Sequence, residues 1–156
     1  MSRFTSLALA IAGAVALASA NATFARAEPT VIELTQIPCQ FIEPENGVDH
    51  GFTTTRKADC EAINERTAEA RLAGATTLEL AAGSYVFRVT NGSVPYDLGF
   101  WLRGASLIDR ALLPSVSGGG LKLGMTKDYE IELEPGEYLY SCPLNTTPDY
   151  RLVVTE

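Results

Sequence analysis

Few residues in this chain can carry chemistry. It holds one histidine, His50, and three cysteines, Cys39, Cys60 and Cys142. His50 lies in a polar loop beside Asp49 and near Glu43 and Glu45. Imidazole and carboxylates together suit a divalent cation, and they equally suit a solvated surface loop. Apart from His50 there is no imidazole to act as a general base, and no Gly-x-Ser-x-Gly nucleophile elbow occurs. Ser117-Gly118-Gly119-Gly120 is followed by neither Lys-Ser/Thr nor a helix start, so it is no phosphate loop. The expectation is a protein without enzymatic activity.

Stepping outward from these residues, the beginning of the chain reads as an export signal. Arg3 precedes an apolar stretch from Leu7 to Ala20, followed by small-residue cleavage sites at Ala18-Ser19-Ala20 and Ala25-Arg26-Ala27. Cleavage after Ala27 is preferred to Ala20, because a β-like pattern begins soon after it. The apolar stretch is shorter than the roughly 20 residues a membrane-spanning helix needs. With residues 1–27 removed, no membrane span is expected, and the location is periplasmic or secreted. Of the 12 basic residues, Arg3 and Arg26 lie in the leader, so 10 face all 19 acids, a net charge of −9. That balance disfavours nucleic acid and anionic membranes as partners.

Residues 28–156 read as one domain. Val31–Ile37 alternates as a strand, ended by Pro38-Cys39, and Glu43 to Gly51 is a polar loop. Arg56 to Ala73 turns helical, with Cys60, Ile63, Thr67 and Ala70 on one stripe, Thr54 or Thr55 as cap and Gly74 at the end. Thr76–Leu80 and Ser84–Thr90 are strands flanking an Ala-Ala-Gly turn, and Leu98–Leu102 is a buried strand. Gly104 to Leu113 reads as either a short helix or a loop, and Ser117–Gly120 as irregular. Asp128–Leu133 alternates with Tyr129, Ile131 and Leu133 inward, Pro135-Gly136 turns the chain, and Glu137–Cys142 returns with Tyr138, Tyr140 and Cys142 on one face. A last strand runs through Tyr150, Leu152 and Val154. Short strands at regular turn spacing indicate an all-β antiparallel sandwich or barrel, with residues 39–74 inserted as a loop and helix. Tyr138, Tyr140, Phe87, Phe100 and Trp101 are expected in its core. In an oxidising compartment one disulfide is expected and three pairings are open. Cys39–Cys60 is preferred, since both lie in the N-terminal segment and the helical stripe turns Cys60 towards the body. Cys142 is then left free.

The segments Leu80–Asn91 ("LAAGSYVFRVTN") and Ile131–Pro143 ("IELEPGEYLYSCP") resemble the two hallmark strands of cupredoxins. The resemblance runs from about Thr76 to Glu156 and implies a Greek-key β-sandwich, with Cys142 in the copper-thiolate position. A blue site needs two imidazoles with that thiolate and a weak axial thioether. Here Tyr96-Asp97 stands where the first histidine is expected, and Leu144-Asn145-Thr146-Thr147 where the second is. No methionine follows, and one histidine cannot supply two ligands. The chain is also similar to the cupredoxin-like domain of Efe-type periplasmic iron-uptake proteins, which use acidic residues and cysteine. On that likeness Asp97 and Cys142 are the metal ligands: the thiolate favours Cu(I), the carboxylate a harder ion. The resemblance thus implies non-enzymatic handling of copper or iron at a non-blue site near Cys142. The rival reading is a metal-free interaction module that binds a periplasmic protein partner through the 143–148 loop. Cys142 as a small buried apolar residue fits that second reading.

Overall fold

The computed structural model describes residues 28–156, so the expected leader (1–27) lies outside the described residues. Nine strands and two helices follow in the order β1 (Thr30–Ile37), β2 (Gln40–Phe41), α1 (Lys57–Gly74), β3 (Leu78–Ala81), β4 (Gly83–Asn91), β5 (Leu98–Gly104), α2 (Leu107–Leu112), β6 (Val116–Leu121), β7 (Thr126–Leu133), β8 (Gly136–Ser141) and β9 (Tyr150–Thr155). The strands form two sheets, β2-β1-β4-β7 and β3-β9-β8-β5-β6. Their inner faces bury Phe41, Phe87, Phe100, Tyr129, Tyr140 and Tyr150 in one aromatic cluster. Phe100 lies at its centre, stacked on Phe87 at 5.6 Å and tilted against Tyr129 at 5.1 Å. Alternation along β7 builds this core as the sequence predicts, with Tyr129, Ile131 and Leu133 in and Glu130, Glu132 and Glu134 out.

Most pairings are antiparallel, but β1–β4 and β3–β9 are parallel. The Ala81-Ala82-Gly83 turn explains both. It carries the chain from β3 in one sheet to β4 in the other, and does not close a hairpin. Thr30 pairs with Tyr85 and Thr155 with Ala81, so β1 starts and β9 ends beside this turn.

Several local expectations are corrected, and one left open is resolved. The Ser117–Gly120 run is not irregular; it belongs to β6. Gly99 of β5 allows the close approach to it, since a Cβ there would stand 2.6 Å from the Gly118 carbonyl oxygen. The Gly104–Leu113 segment, open between helix and loop, contains α2, where the Ser106 hydroxyl accepts from the Asp109 N–H at 3.0 Å. Trp101 is not in the core. It sits on the outer face of its sheet with the Arg103 guanidinium 4.0 Å above the ring. Finally, α1 does not dock through an apolar stripe. Of the four stripe residues only Cys60 is fully buried, and the face turned inward carries Asn64, Thr67 and Arg71. Its N-terminus is set by Asp59, whose carboxylate accepts from the Thr55 and Arg56 N–H groups, so neither threonine is the cap.

Candidate functional site

Cys142 follows the last residue of β8 and is 0% exposed. Its Sγ accepts from the Gly99 N–H at 3.4 Å and the Asn145 N–H at 3.3 Å. Around the sulfur a ring of neutral amides closes. Gln36, at the end of β1, donates through Nε2 to the Gly99 carbonyl at 2.8 Å. The Asn145 Nδ2 donates to the Ile37 carbonyl at 2.8 Å and towards the Gln36 Oε1 at 3.5 Å, while its Oδ1 accepts from the Cys39 N–H at 3.0 Å. The loop returns on itself through Thr147, whose Oγ1 accepts from the Cys142 N–H at 2.9 Å. Both ends of the Asn145 amide are therefore tied to the chain around the disulfide.

Burial pushes the Cys142 thiol pKa up, against the opposing pull of the Gly99, Asn145 and Leu144 N–H groups and the Gln36 amide. The net result favours a neutral, unreactive thiol. A blue copper centre does not fit this donor set, because the groups closing on the sulfur are backbone N–H and carboxamide. Asp97 is exposed in the loop before β5, and Cys142 is buried. Among the described residues, no three His, Cys, Asp or Glu side chains gather closely enough to hold a metal ion.

The expected bridge is present: Cys39 and Cys60 are joined, with Cα atoms 5.0 Å apart, and Cys142 is the free cysteine. It links the Pro38-Cys39 turn between β1 and β2 to the first turns of α1. Beside it lies an ion network that takes over the cluster around His50. The Glu45 carboxylate meets Arg71 of α1 at 2.6 and 2.9 Å, His50 Nε2 at 2.7 Å, and the Tyr150 hydroxyl. Arg71 also donates to the Cys39 carbonyl at 3.2 Å. The cation at that cluster is thus a guanidinium, paired in the bidentate geometry carboxylates favour.

At the surface above Cys142, Pro143 and Leu144 are exposed, Leu144 by 41%. With Trp101 and the Gly118-Gly119 backbone they line a shallow groove. Arg103 locks the Trp101 side by pairing with Asp149 at 2.7 Å and the Ser141 hydroxyl at 3.0 Å.

Sequence reasoning placed Cys142, Cys39 and Cys60 but missed Gln36, Asn145 and Arg71 as parts of the site. Asn145 carried a signal, standing where a second histidine is expected; a glutamine ending a strand and an arginine on a helix carried none.

No protein-family model matches the chain, and no curated protein matches it in sequence. Among solved structures, auracyanin B aligns with a TM-score of 0.50 at 15% identity, over 85% of this chain and 94% of that one. Auracyanin A, a "blue" copper protein from Chloroflexus aurantiacus, aligns with a TM-score of 0.43 at 16% identity, over 82% and 100% of the two chains. Reduced rusticyanin aligns at 0.43 and 14% identity, over 83% of each. At such identities a likeness speaks for the architecture alone. Taken with the two packed sheets and the buried aromatic core, the alignment to auracyanin B makes this an all-β, cupredoxin-like fold.

Proposed function

We propose that this is an exported, non-enzymatic protein that keeps a cupredoxin-like scaffold without a blue metal centre and binds a protein partner through its 143–148 loop. The observation that carries this reading is the closed environment of Cys142. A fully buried sulfur held by two backbone N–H groups and ringed by Gln36 and Asn145 offers a metal no access and no imidazole. The loop above it supports the second half of the reading. Pro143 and Pro148 restrain its ends, Asn145 and Thr147 anchor it from beneath, and Leu144 stays outward beside Trp101. An apolar tip on a rigid base loses little entropy when it docks.

Copper or iron handling at Cys142 with Asp97 is the second reading, and one observation favours it. Backbone N–H donors aimed at Sγ would stabilise a thiolate once a metal displaced its proton. The experiment that separates the two is metal stoichiometry after equilibration with Cu(I), Cu(II) and Fe(II), for the wild type and Cys142→Ser. The metal-free reading expects no tightly held equivalent in either protein. One tight equivalent, lost in Cys142→Ser, overturns it in favour of metal handling.

A further inference from the structure

The chain has six tyrosines, and five place their hydroxyls against protein partners. Tyr85 donates to the Ala81 carbonyl at 2.9 Å, Tyr129 to the Gly118 carbonyl at 3.4 Å and Tyr138 to the Glu134 carbonyl at 2.9 Å. Tyr150 meets Glu45, and Tyr96 lies 3.7 Å from the Cys60 sulfur. Tyr140 is 1% exposed as a residue, and its hydroxyl, which bonds no described residue, is not sealed in the core but opens on to a cleft.

Tyr140 instead lines a cleft of about 160 Å3 between the two sheets. Ile32 and Leu34 of β1, Leu78 of β3 and Pro44 supply apolar walls, and the exposed Glu43 stands at the rim. The cleft is spanned rather than filled. The Thr76 N–H donates to the Pro44 carbonyl at 2.8 Å and the Thr76 hydroxyl to the Asn46 Oδ1 at 2.7 Å, tying the start of β3 to the 43–46 loop across the open side of the sandwich.

We propose that this cleft is a binding site for a compact, uncharged, ring-sized molecule with one hydrogen-bond acceptor, such as a carbonyl, which the Tyr140 hydroxyl engages. The size follows from the volume, about 160 Å3 in a cleft open to solvent on one side, which leaves room for a single ring. The acceptor follows from the unpartnered hydroxyl. Burial and the nearby Glu43 charge both push its pKa up, so it stays a donor. That same carboxylate excludes anions from the mouth. The site lies between β1 and β3, apart from the 143–148 loop, and goes beyond the partner-binding reading.

The test is a titration of isotope-labelled protein with acetophenone, followed by NMR. Saturable shifts are expected at the Leu34, Leu78 and Tyr140 amides, and none with benzoate. Tyr140→Phe should weaken acetophenone about fivefold, the loss of one net hydrogen bond, and leave toluene unaffected. Leu78→Trp, which fills the cleft, should abolish both. Absence of saturable shifts at these amides, as a cleft holding only water would give, overturns the proposal. So does a Tyr140→Phe protein that binds acetophenone as tightly as the wild type.

Discussion

Asn145 holds the 143–148 loop by both ends of one amide, and its removal leaves the buried Cys39 N–H without its partner and takes one hydrogen bond from the Ile37 carbonyl. Unpaired buried groups cost more than the hydrogen bonds that satisfied them contributed. Asn145→Ala is therefore expected to lower unfolding stability by about 2 kcal/mol in chemical denaturation; an unchanged midpoint would show that the ring around Cys142 is not structural. The thiol itself should resist labelling at pH 8 in the native protein and label fully on unfolding, because burial raises its pKa and seals it from reagent. Fast native labelling would contradict the closed site. Glu45 makes a separate prediction. Burial pushes its carboxyl pKa up, but Arg71, the Tyr150 hydroxyl and His50 outweigh that and leave it below its ordinary value. A carboxyl with a lower pKa folded than unfolded adds stability that is present above the unfolded value and is lost as pH falls through the folded one. Stability should thus decline in the acid range, and Glu45→Gln should flatten that decline. At pH 7 the same variant should cost about 3 kcal/mol, since it strips a buried Arg71 of its partner. An acid limb as steep as the wild type's would remove Glu45 from the account.

Among the elements, α1 is the one whose attachment periodicity misrepresents. Its stripe reading put Ile63, Thr67 and Ala70 on one face with Cys60, and of these Thr67 shares the inward face. The helix instead turns Asn64 and Arg71 to the body, where they bond the Cys39 carbonyl. Hydrophobic pattern has no means of seeing a helix docked by a disulfide and a guanidinium, because both anchors act through single long-range contacts. The bridge closes a sequence separation of 21 residues, so its loss should cost roughly 3 kcal/mol in the chain-entropy picture. Hydrogen exchange on the reduced protein should show α1 losing protection before the β8 and β9 amides; simultaneous loss would mean the helix belongs to the main cooperative unit. β6 failed to read as a strand for a different reason. Glycine carries no β signal, yet the facing sheet needs it, since a Cβ on Gly118 would stand 3.0 Å from the Tyr129 ring of β7. Gly104 is tighter still, with a Cβ 2.3 Å from the Asp109 backbone. Gly104→Ala should destabilise by 1 to 3 kcal/mol, about the cost of overpacking, and Gly119→Ala, which meets nothing closer than 3.9 Å, should cost far less.

On the scale of the whole molecule, the sandwich was legible because β7 alternates cleanly between core and solvent and the apolar residues of β4 and β8 recur at every second position, although Val86 and Ser141 between them are buried too. Tyr85, Phe87 and Val89 bury as a set, as do Tyr138, Tyr140 and Cys142. What periodicity could not supply was pairing partners, so the parallel β1–β4 and β3–β9 contacts went unseen. The placing of the first and last described strands follows from those contacts. β1 begins and β9 finishes beside the Ala81–Gly83 turn, at the pole opposite Cys142. Gln36 at the far end of β1 and Tyr150 at the start of β9 reach the other pole, where the 143–148 loop lies. A coupling made at a residue engineered at the start of β1 or the end of β9 therefore holds the folded domain by the pole opposite Cys142. An immobilised array prepared through either residue would present every copy with Leu144 facing outward and free.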